Sequence, residues 1–490
     1  MGVKPLLLSS LLWAASSTTA TAASPSTTQY ANHIFNSIHS SMRQWGSSLQ
    51  HNGMSFFLAT VPAGTQFYHG TSIAEPINGT EWLAFEPEHA MVFARPHRGP
   101  PPAGKTNNGT LDLEDRILFR DGLGEGEMMG ERERAKTFCR MAKEEWDDRL
   151  DGLLRMEAGF EIILCDFARD LKQVRVTQTK PSQPFGGPGG KKDNKKKKGG
   201  PGGGGDGGLW FKAIAARYDG IGGNRVTLNY DNFVSAYTYG LDLFHSVNET
   251  FTLPRLKQFT SQQLDPIREA LNQLVLQHEA KEATLNWQTV TDMVVERYAR
   301  EIRYLASGQV STVEAIHAEI DTVLGPFVDY GDRDGEEEAE RCSMQFIPGG
   351  MLAADGDAGV AATAVHAVTR RICATFVEAW QETDYNTVIG LFQDLMEYLA
   401  WTTWKQCSGC ADHEICVVPI WPMGTVEDYN HPQCHDASNP NSEGQRYWGG
   451  GPGGPGGRRP PSDSSSSSGW IPGLISFLRS FLGVALGLHF

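Results

Sequence analysis

Tyr68-His69-Gly70-Thr71, Trp82, Phe93 and Glu161 are the residues of this chain whose types and order could do chemistry together. Breaking an N-glycosidic bond builds positive charge on the sugar. A fixed carboxylate such as Glu161 would therefore stabilise the transition state more than the ground state. Trp82 and Phe93, eleven positions apart, offer two aromatic faces for a flat cationic ring, each worth roughly 0.5–2 kcal/mol. His69 beside Gly70 supplies a directional hydrogen bond without steric crowding. Taken singly, each has a plainer reading: His69 as a turn histidine, Trp82 and Phe93 as core aromatics, Glu161 as a surface carboxylate.

In context, Gln66-Phe67-Tyr68-His69-Gly70-Thr71 resembles the first strand of the ADP-ribosyltransferase fold, in its diphtheria-toxin and poly(ADP-ribose) polymerase branch. Trp82-Leu83-Ala84-Phe85-Glu86-Pro87-Glu88-His89-Ala90-Met91-Val92-Phe93-Ala94 has the outline of that family's aromatic, short helix and second aromatic. The resemblance covers residues 55–170. It implies that His69 bonds a ribose hydroxyl of NAD, that Gly70 lets the backbone approach the nicotinamide amide, and that Trp82 and Phe93 clamp the ring. It further implies that Glu161, or failing it Glu157, bonds the nicotinamide ribose and stabilises the oxocarbenium-like transition state. NAD would be a substrate, the acceptor of ADP-ribose is unnamed, and no metal is expected. The branch prefers tyrosines where this chain has Trp82 and Phe93. The whole sequence also resembles a family of secreted fungal proteins, which lends no activity.

These residues need elements to position them. Phe56 to Tyr68 is a short apolar segment, and Phe160 to Phe167 reads as a strand with Glu161 at its mouth. Glu131 to Leu154 reads as a helix running into a turn at Asp151-Gly152. Leu209 to Tyr218 reads as a helix, followed by the alternating strand Arg225 to Tyr230, so a helix–Asp-Gly–strand unit is used twice. Beyond Pro254 the pattern turns helical. Asp265-Pro266 reads as a cap with a first-turn proline. Asn286 opens a helix bearing Val290, Met293, Val294, Tyr298, Ile302 and Leu305 at spacings of three and four. Ser311–Leu324 and Ala364–Trp404 continue the pattern, with Trp380 and Trp401 as core residues. Asp332 to Glu340 reads as an acidic loop whose spacing does not fit an EF-hand.

The expected fold is α+β: a signal peptide over 1–22, an ADP-ribosyltransferase-like mixed domain over 30–240, and a helical, disulfide-bearing domain over 250–438. A Gly/Lys-rich insert at 181–208 and a Gly/Pro/Ser linker at 439–469 cannot bury enough apolar surface to order themselves. Lys4, the apolar run to Ala15 and Ala20-Thr21-Ala22 have the form of a secretory signal. The sequons Asn78-Gly79-Thr80, Asn108-Gly109-Thr110 and Asn248-Glu249-Thr250 agree with that route. Eight cysteines in an oxidising compartment favour disulfides, although Cys407, Cys410, Cys416 and Cys434 with His413, His431 and His435 could also be read as a zinc site. A net charge of −15 argues against a general nucleic-acid binder. Residues 470–490 are apolar apart from Arg479 and read as a membrane- or wall-associated tail, whether spanning, glycolipid-linked or interfacial. Two functions from different classes stand: NAD-dependent ADP-ribosyl transfer or NAD hydrolysis, and a non-catalytic cell-surface protein that keeps the fold as a scaffold. A hydrolase using Glu161 with His69 is a third, but no Gly-x-Ser-x-Gly nucleophile motif is present.

Overall fold

The computed structural model describes residues 29–50, 53–71, 75–80, 81–94, 114–120, 131–156, 159–178, 206–215, 225–244, 254–256, 258–278, 285–352, 358–420, 424–437 and 485–489. The signal segment, the linker, residues 470–484, Glu157 and the sequons at Asn108 and Asn248 lie outside this set, as does the insert up to residue 205.

Among the described residues the larger sheet has the order β2-β4-β3-β8-β1-β5. Its strands are β1 (Ser55–Thr60), β2 (Glu81–Ala84), β3 (Gly152–Met156), β4 (Phe160–Leu164), β5 (Thr227–Ser235) and β8 (Ala485–His489). β8 runs parallel to β1, and every other pairing is antiparallel. β1 is apolar on alternate and intervening positions alike (Phe56, Phe57, Leu58, Ala59) because both its faces are covered. Its Phe57 stacks on Phe233 of β5 at 4.7 Å between ring centroids. A second sheet is the hairpin of β6 (Glu414–Val417) and β7 (Gln433–Asp436).

The helices of the first half are α1 (Ala31–His39), α2 (Gln44–Gln50), α3 (Pro87–Phe93), α4 (Glu131–Glu144), α5 (Phe167–Asp170) and α6 (Asp206–Ala215). The second half holds α7 (Ser261–Gln277), α8 (Trp287–Ala306), α9 (Val313–Leu324), α10 (Gly335–Ser343), α11 (Val360–Gln381), α12 (Tyr385–Leu399) and α13 (Val426–Asn430). The fold is thus mixed helix and sheet with disulfides. α1 packs against α8 and α11, so the first helix of the chain belongs to the helical half. One apolar core runs from the sheet through α7 into that half.

Side-chain caps set the helix starts. Asn286, Thr312 and Asp334 each accept a backbone N–H from the first turn of α8, α9 and α10. Several sequence expectations are corrected here. α7 begins at Ser261, where Thr260 and Gln263 form a reciprocal capping box, so Pro266 lies inside the helix rather than in its first turn. α10 occupies the acidic stretch, since Glu336, Glu337 and Glu338 sit at its N-terminal end, where negative charge is favoured. α4 stops at Glu144, and Leu153 and Leu154 belong to β3. On α8, Met293 is 52% exposed while Val290, Val294, Tyr298, Ile302 and Leu305 are buried. Trp401 is buried and Trp380 packs half-buried against the core.

All eight cysteines form disulfides: Cys139–Cys165, Cys342–Cys373, Cys407–Cys416 and Cys410–Cys434. The first ties α4 to the end of β4, and the second ties α10 to α11.

Candidate functional site

The segment carrying His69 is not a regular strand. Tyr68 makes a single antiparallel bridge with Ala84 of β2, through backbone bonds of 2.9 and 2.8 Å. The chain then leaves the ladder, and the His69 side chain takes over: Nδ1 lies 2.7 Å from the Trp82 carbonyl oxygen. A carbonyl only accepts, so Nδ1 carries a proton; in the neutral imidazole Nε2 then holds a lone pair. Nε2 is buried and has no hydrogen-bond partner. The ring stands edge-on to Phe167, the first residue of α5, at 5.3 Å.

Gly70 is glycine for a packing reason. A Cβ there would lie 1.8 Å from the Ala90 carbonyl oxygen, inside the backbone of α3. Any other residue would push the segment off the helix. Tyr68 is about one-third exposed (36%), Thr71 half-buried, and Trp82 half-buried against the core. Trp82 therefore sits on a strand, not on a helix-like stretch, because it pairs with Ile163 across β2 and β4. Phe93 ends α3; its side chain lies outside the described atoms.

Glu161 belongs to a different constellation. In the β3–β4 hairpin it stands opposite Arg155, whose Nε donates to its Oε1 at 2.6 Å. Both are deeply buried, Arg155 at 1% and Glu161 at 3% exposure. Arg155 Nη1 also donates to Glu114 at 3.5 Å. The second Glu161 oxygen faces His89 Nε2 of α3 at 3.9 Å. Trp210 of α6 donates its indole N–H to His89 Nδ1 at 3.4 Å, so Nδ1 accepts and the ring's N–H is Nε2, toward the carboxylate. Gly159 has φ +140°, and a Cβ there would lie 2.6 Å from His89 Nδ1, so the hairpin rests on the imidazole. Beside this group Arg134 grips Asp115 through two bonds of 2.6 and 3.0 Å, and Glu86 is fully buried.

The two sets do not share a cleft as expected from the sequence. β2 stands between the His69 segment and β4, so two strand spacings, about 10 Å, separate their backbones. Tyr68, Ala84 and Glu161 are in register and share one face; His69 follows Tyr68 and turns to the Trp82 carbonyl instead. The structure thus joins Tyr68, His69, Gly70 and Trp82 at the edge of the sheet and holds Glu161 one strand further in, committed to Arg155. A small apolar cavity of about 20 Å³ between β1, β3 and α7, lined by Phe56, Leu118, Phe138, Leu153 and Leu271, is too small for a dinucleotide.

Sequence reasoning overlooked Arg155, His89, Glu114 and Trp210. Arg155 had a legible signal: a lone arginine in the apolar strand Leu153-Leu154-Arg155-Met156 must find a buried partner. The sulfurs of Cys407, Cys410 and Cys434 lie close enough to hold a metal ion, but each is spent in a disulfide.

The model of a family described as YPL277C N-terminal domain matches residues 25–111 and 101–211, which is the part of the chain that carries this site. Two proteins of Saccharomyces cerevisiae are similar to the chain, each at 28% identity. Uncharacterized protein YOR389W aligns over 28% of this chain and 31% of its own length; Uncharacterized protein YPL277C aligns over 28% and 40%. The alignment therefore spans less than half of either relative. No solved structure matches the chain.

Proposed function

We propose that the sheet half binds an NAD-type dinucleotide along the edge formed by Tyr68-His69-Gly70-Thr71, Trp82 and α3, and acts as an ADP-ribosyltransferase or NAD glycohydrolase. The observation that carries this reading is His69. Its Nδ1–H is committed to the Trp82 carbonyl, which fixes the ring, and its buried Nε2 is an acceptor without a hydrogen-bond partner. Such an acceptor suits a ribose hydroxyl. In this reading Trp82 stacks on the nicotinamide with Phe93 on the other side, and Gly70 keeps the backbone close to the helix that carries Phe93. Nicotinamide leaves, and the ADP-ribosyl cation is taken by water or by a nucleophile on a partner. Glu161 can act on that cation only after Arg155 releases it.

A second reading, a non-catalytic surface protein on the same scaffold, is favoured by one observation: Glu161 is buried and neutralised by Arg155. In both readings the protein is secretory, and Asn78, exposed just before β2, is a glycan acceptor. Attachment to a membrane through residues 470–490 would require β8 to leave the sheet.

Calorimetric titration with NAD and an assay of nicotinamide release test both readings on the full secreted chain. The wild type binds, and His69→Ala weakens binding about tenfold, as expected for one lost hydrogen bond of about 1.4 kcal/mol. Glu161→Gln that binds NAD but releases no nicotinamide supports catalysis; equal release by both proteins removes Glu161 from the reaction. Wild-type chain that does not bind NAD at millimolar concentration overturns the proposal.

A further inference from the structure

The β6–β7 hairpin gathers four half-buried cysteines. Cys416 and Cys434 stand directly opposite each other across the ladder. Neither bonds the other: Cys416 is joined to Cys407, and Cys434 to Cys410. The ladder's hydrogen bonds show how close the unused pairing is. The Ala437 N–H donates to the His413 carbonyl at 3.0 Å, so that position and, two residues along, Ile415 opposite His435 are the hydrogen-bonded ones. Cys416 and Cys434 then fall on a non-hydrogen-bonded position, where Cα atoms approach to about 4.5 Å and side chains are closer. That separation is within disulfide reach. On the loop side, Cys407-Ser408-Gly409-Cys410 turns at Gly409, φ +78°, and brings its own two sulfurs together. The Sγ atoms of Cys407, Cys410 and Cys434 all lie within 4.8 Å of one another. The Cys407 backbone N–H donates to the Cys416 sulfur at 3.1 Å.

We infer that this hairpin is a thiol–disulfide exchange site, whose substrate is an external thiol and whose two states are Cys407–Cys416 with Cys410–Cys434 and Cys407–Cys410 with Cys416–Cys434. The external thiolate attacks Cys434 Sγ, forms a mixed disulfide there and expels the Cys410 thiolate. Cys410 attacks the neighbouring Cys407 Sγ, closes the C-x-x-C loop and expels the Cys416 thiolate. The Cys407 N–H already points at that sulfur and stabilises it as a leaving group. Cys416 then attacks Cys434 across the strands and returns the external thiolate. Two disulfides are broken and two are made, so no oxidant or reductant is consumed. The proton lost by the external thiol returns to it at the end. Cys342 and Cys373 are fully buried in the helical core, and no such exchange partner stands beside them among the described residues.

The test is disulfide mapping of the native full chain after incubation with a small amount of reduced glutathione, followed by acid quenching and cleavage at Glu414. In the observed connectivity the peptide carrying Cys407 and Cys410 stays tied to both the Cys416 and the Cys434 peptides, which the accompanying cut at Glu427 separates. In the exchanged state it is released with its own internal disulfide. The expected result is release of that peptide, with Cys139–Cys165 and Cys342–Cys373 retained. Retention of the tie after incubation, with glutathione shown to exchange with a free model disulfide, overturns the proposal. Cys434→Ser gives a second reading that needs no added thiol: the free thiol is expected at Cys416, after Cys410 has displaced it from Cys407. A free thiol at Cys410 in folded variant overturns the exchange route.

Discussion

The sheet half and the helical half of this molecule are held together by different physics. Between α7 and α12 the helices follow the local rules: a side-chain cap on every one but α11, which starts at Gly359, an apolar stripe at three and four, and a core of Ile, Leu, Val and Phe. The sheet half breaks those rules in one place. Arg155, Glu161, Glu114, Glu86, His89, Asp115 and Arg134 are all deeply buried between β3, β4, α3 and α4. Buried ions cost several kcal/mol each unless matched, and apolar replacements of the same shape are often no less stable. Between α7 and α12 the described residues hold one such side chain, Glu338 of α10, which is 1% exposed and paired with the more exposed Arg333. The matched family model falls on the sheet half.

The contrast can be broken by four measurements. The largest effect is expected for Arg155→Met, which strands Glu161 and Glu114 without their guanidinium; unfolding by urea should show a loss of about 3–5 kcal/mol. Arg155→Met combined with Glu161→Leu should recover a good part of it, and a single variant that costs under about 1 kcal/mol would mean the pair is not desolvated. In the helical half, Leu395→Ala should cost roughly 2–5 kcal/mol by opening a cavity, and no second substitution of a charge should rescue it.

The seam between the halves should respond to acid. His33 of α1 stacks on Tyr237 and packs at a tilt against Phe244, and its burial there lowers its pKa to about 4. His39 falls to about 3 through burial and the nearby Arg43. Both are neutral in the folded chain, whereas the unfolded chain takes up protons near pH 6.5. Stability present above pH 6.5 is therefore lost as the pH falls toward 4, on the order of 3 kcal/mol for His33 alone. Denaturant titrations at pH 7 and pH 4 check this, and His33→Phe should flatten the slope by one proton. The smallest effect is Thr312→Ala, which removes the cap of α9 and should cost about 1 kcal/mol, seen as a modest drop in Tm.

How much of this was legible follows the same division. Asn286 announced α8 and the apolar spacing from Val290 to Leu305 announced its face, because a helix is specified by residues near in sequence. Met293 was misplaced because a spacing of three from Val290 fits the stripe, yet the face turns to solvent there. In the sheet half the needed information was long-range. Arg155 and Glu161 became partners only through the register of the β3–β4 hairpin, which residue types alone do not set. His69 was found by its neighbours, but its orientation depends on Ala84 bridging Tyr68, and so the distance to Glu161 was invisible. Ala485 to His489 read as part of a membrane-associated tail because a short apolar run is common to buried strands and to lipid-facing segments.

β8 has a consequence for how the protein is made. Phe56 pairs with Ala485, so the centre of the sheet is assembled from opposite ends of the sequence. Until residues 485–489 arrive, β1 and β3 each present a bare edge with unpaired N–H and C=O groups, the template on which chains stick to one another. The helical half, whose helices α7 to α12 follow one another along the chain and whose distant partner α1 is made first, can form meanwhile. Synthesis thus leaves an interval in which the helices are folded and the sheet is an open seam. The cell must shield that seam, and newly made protein, rather than finished protein, is where aggregation should concentrate.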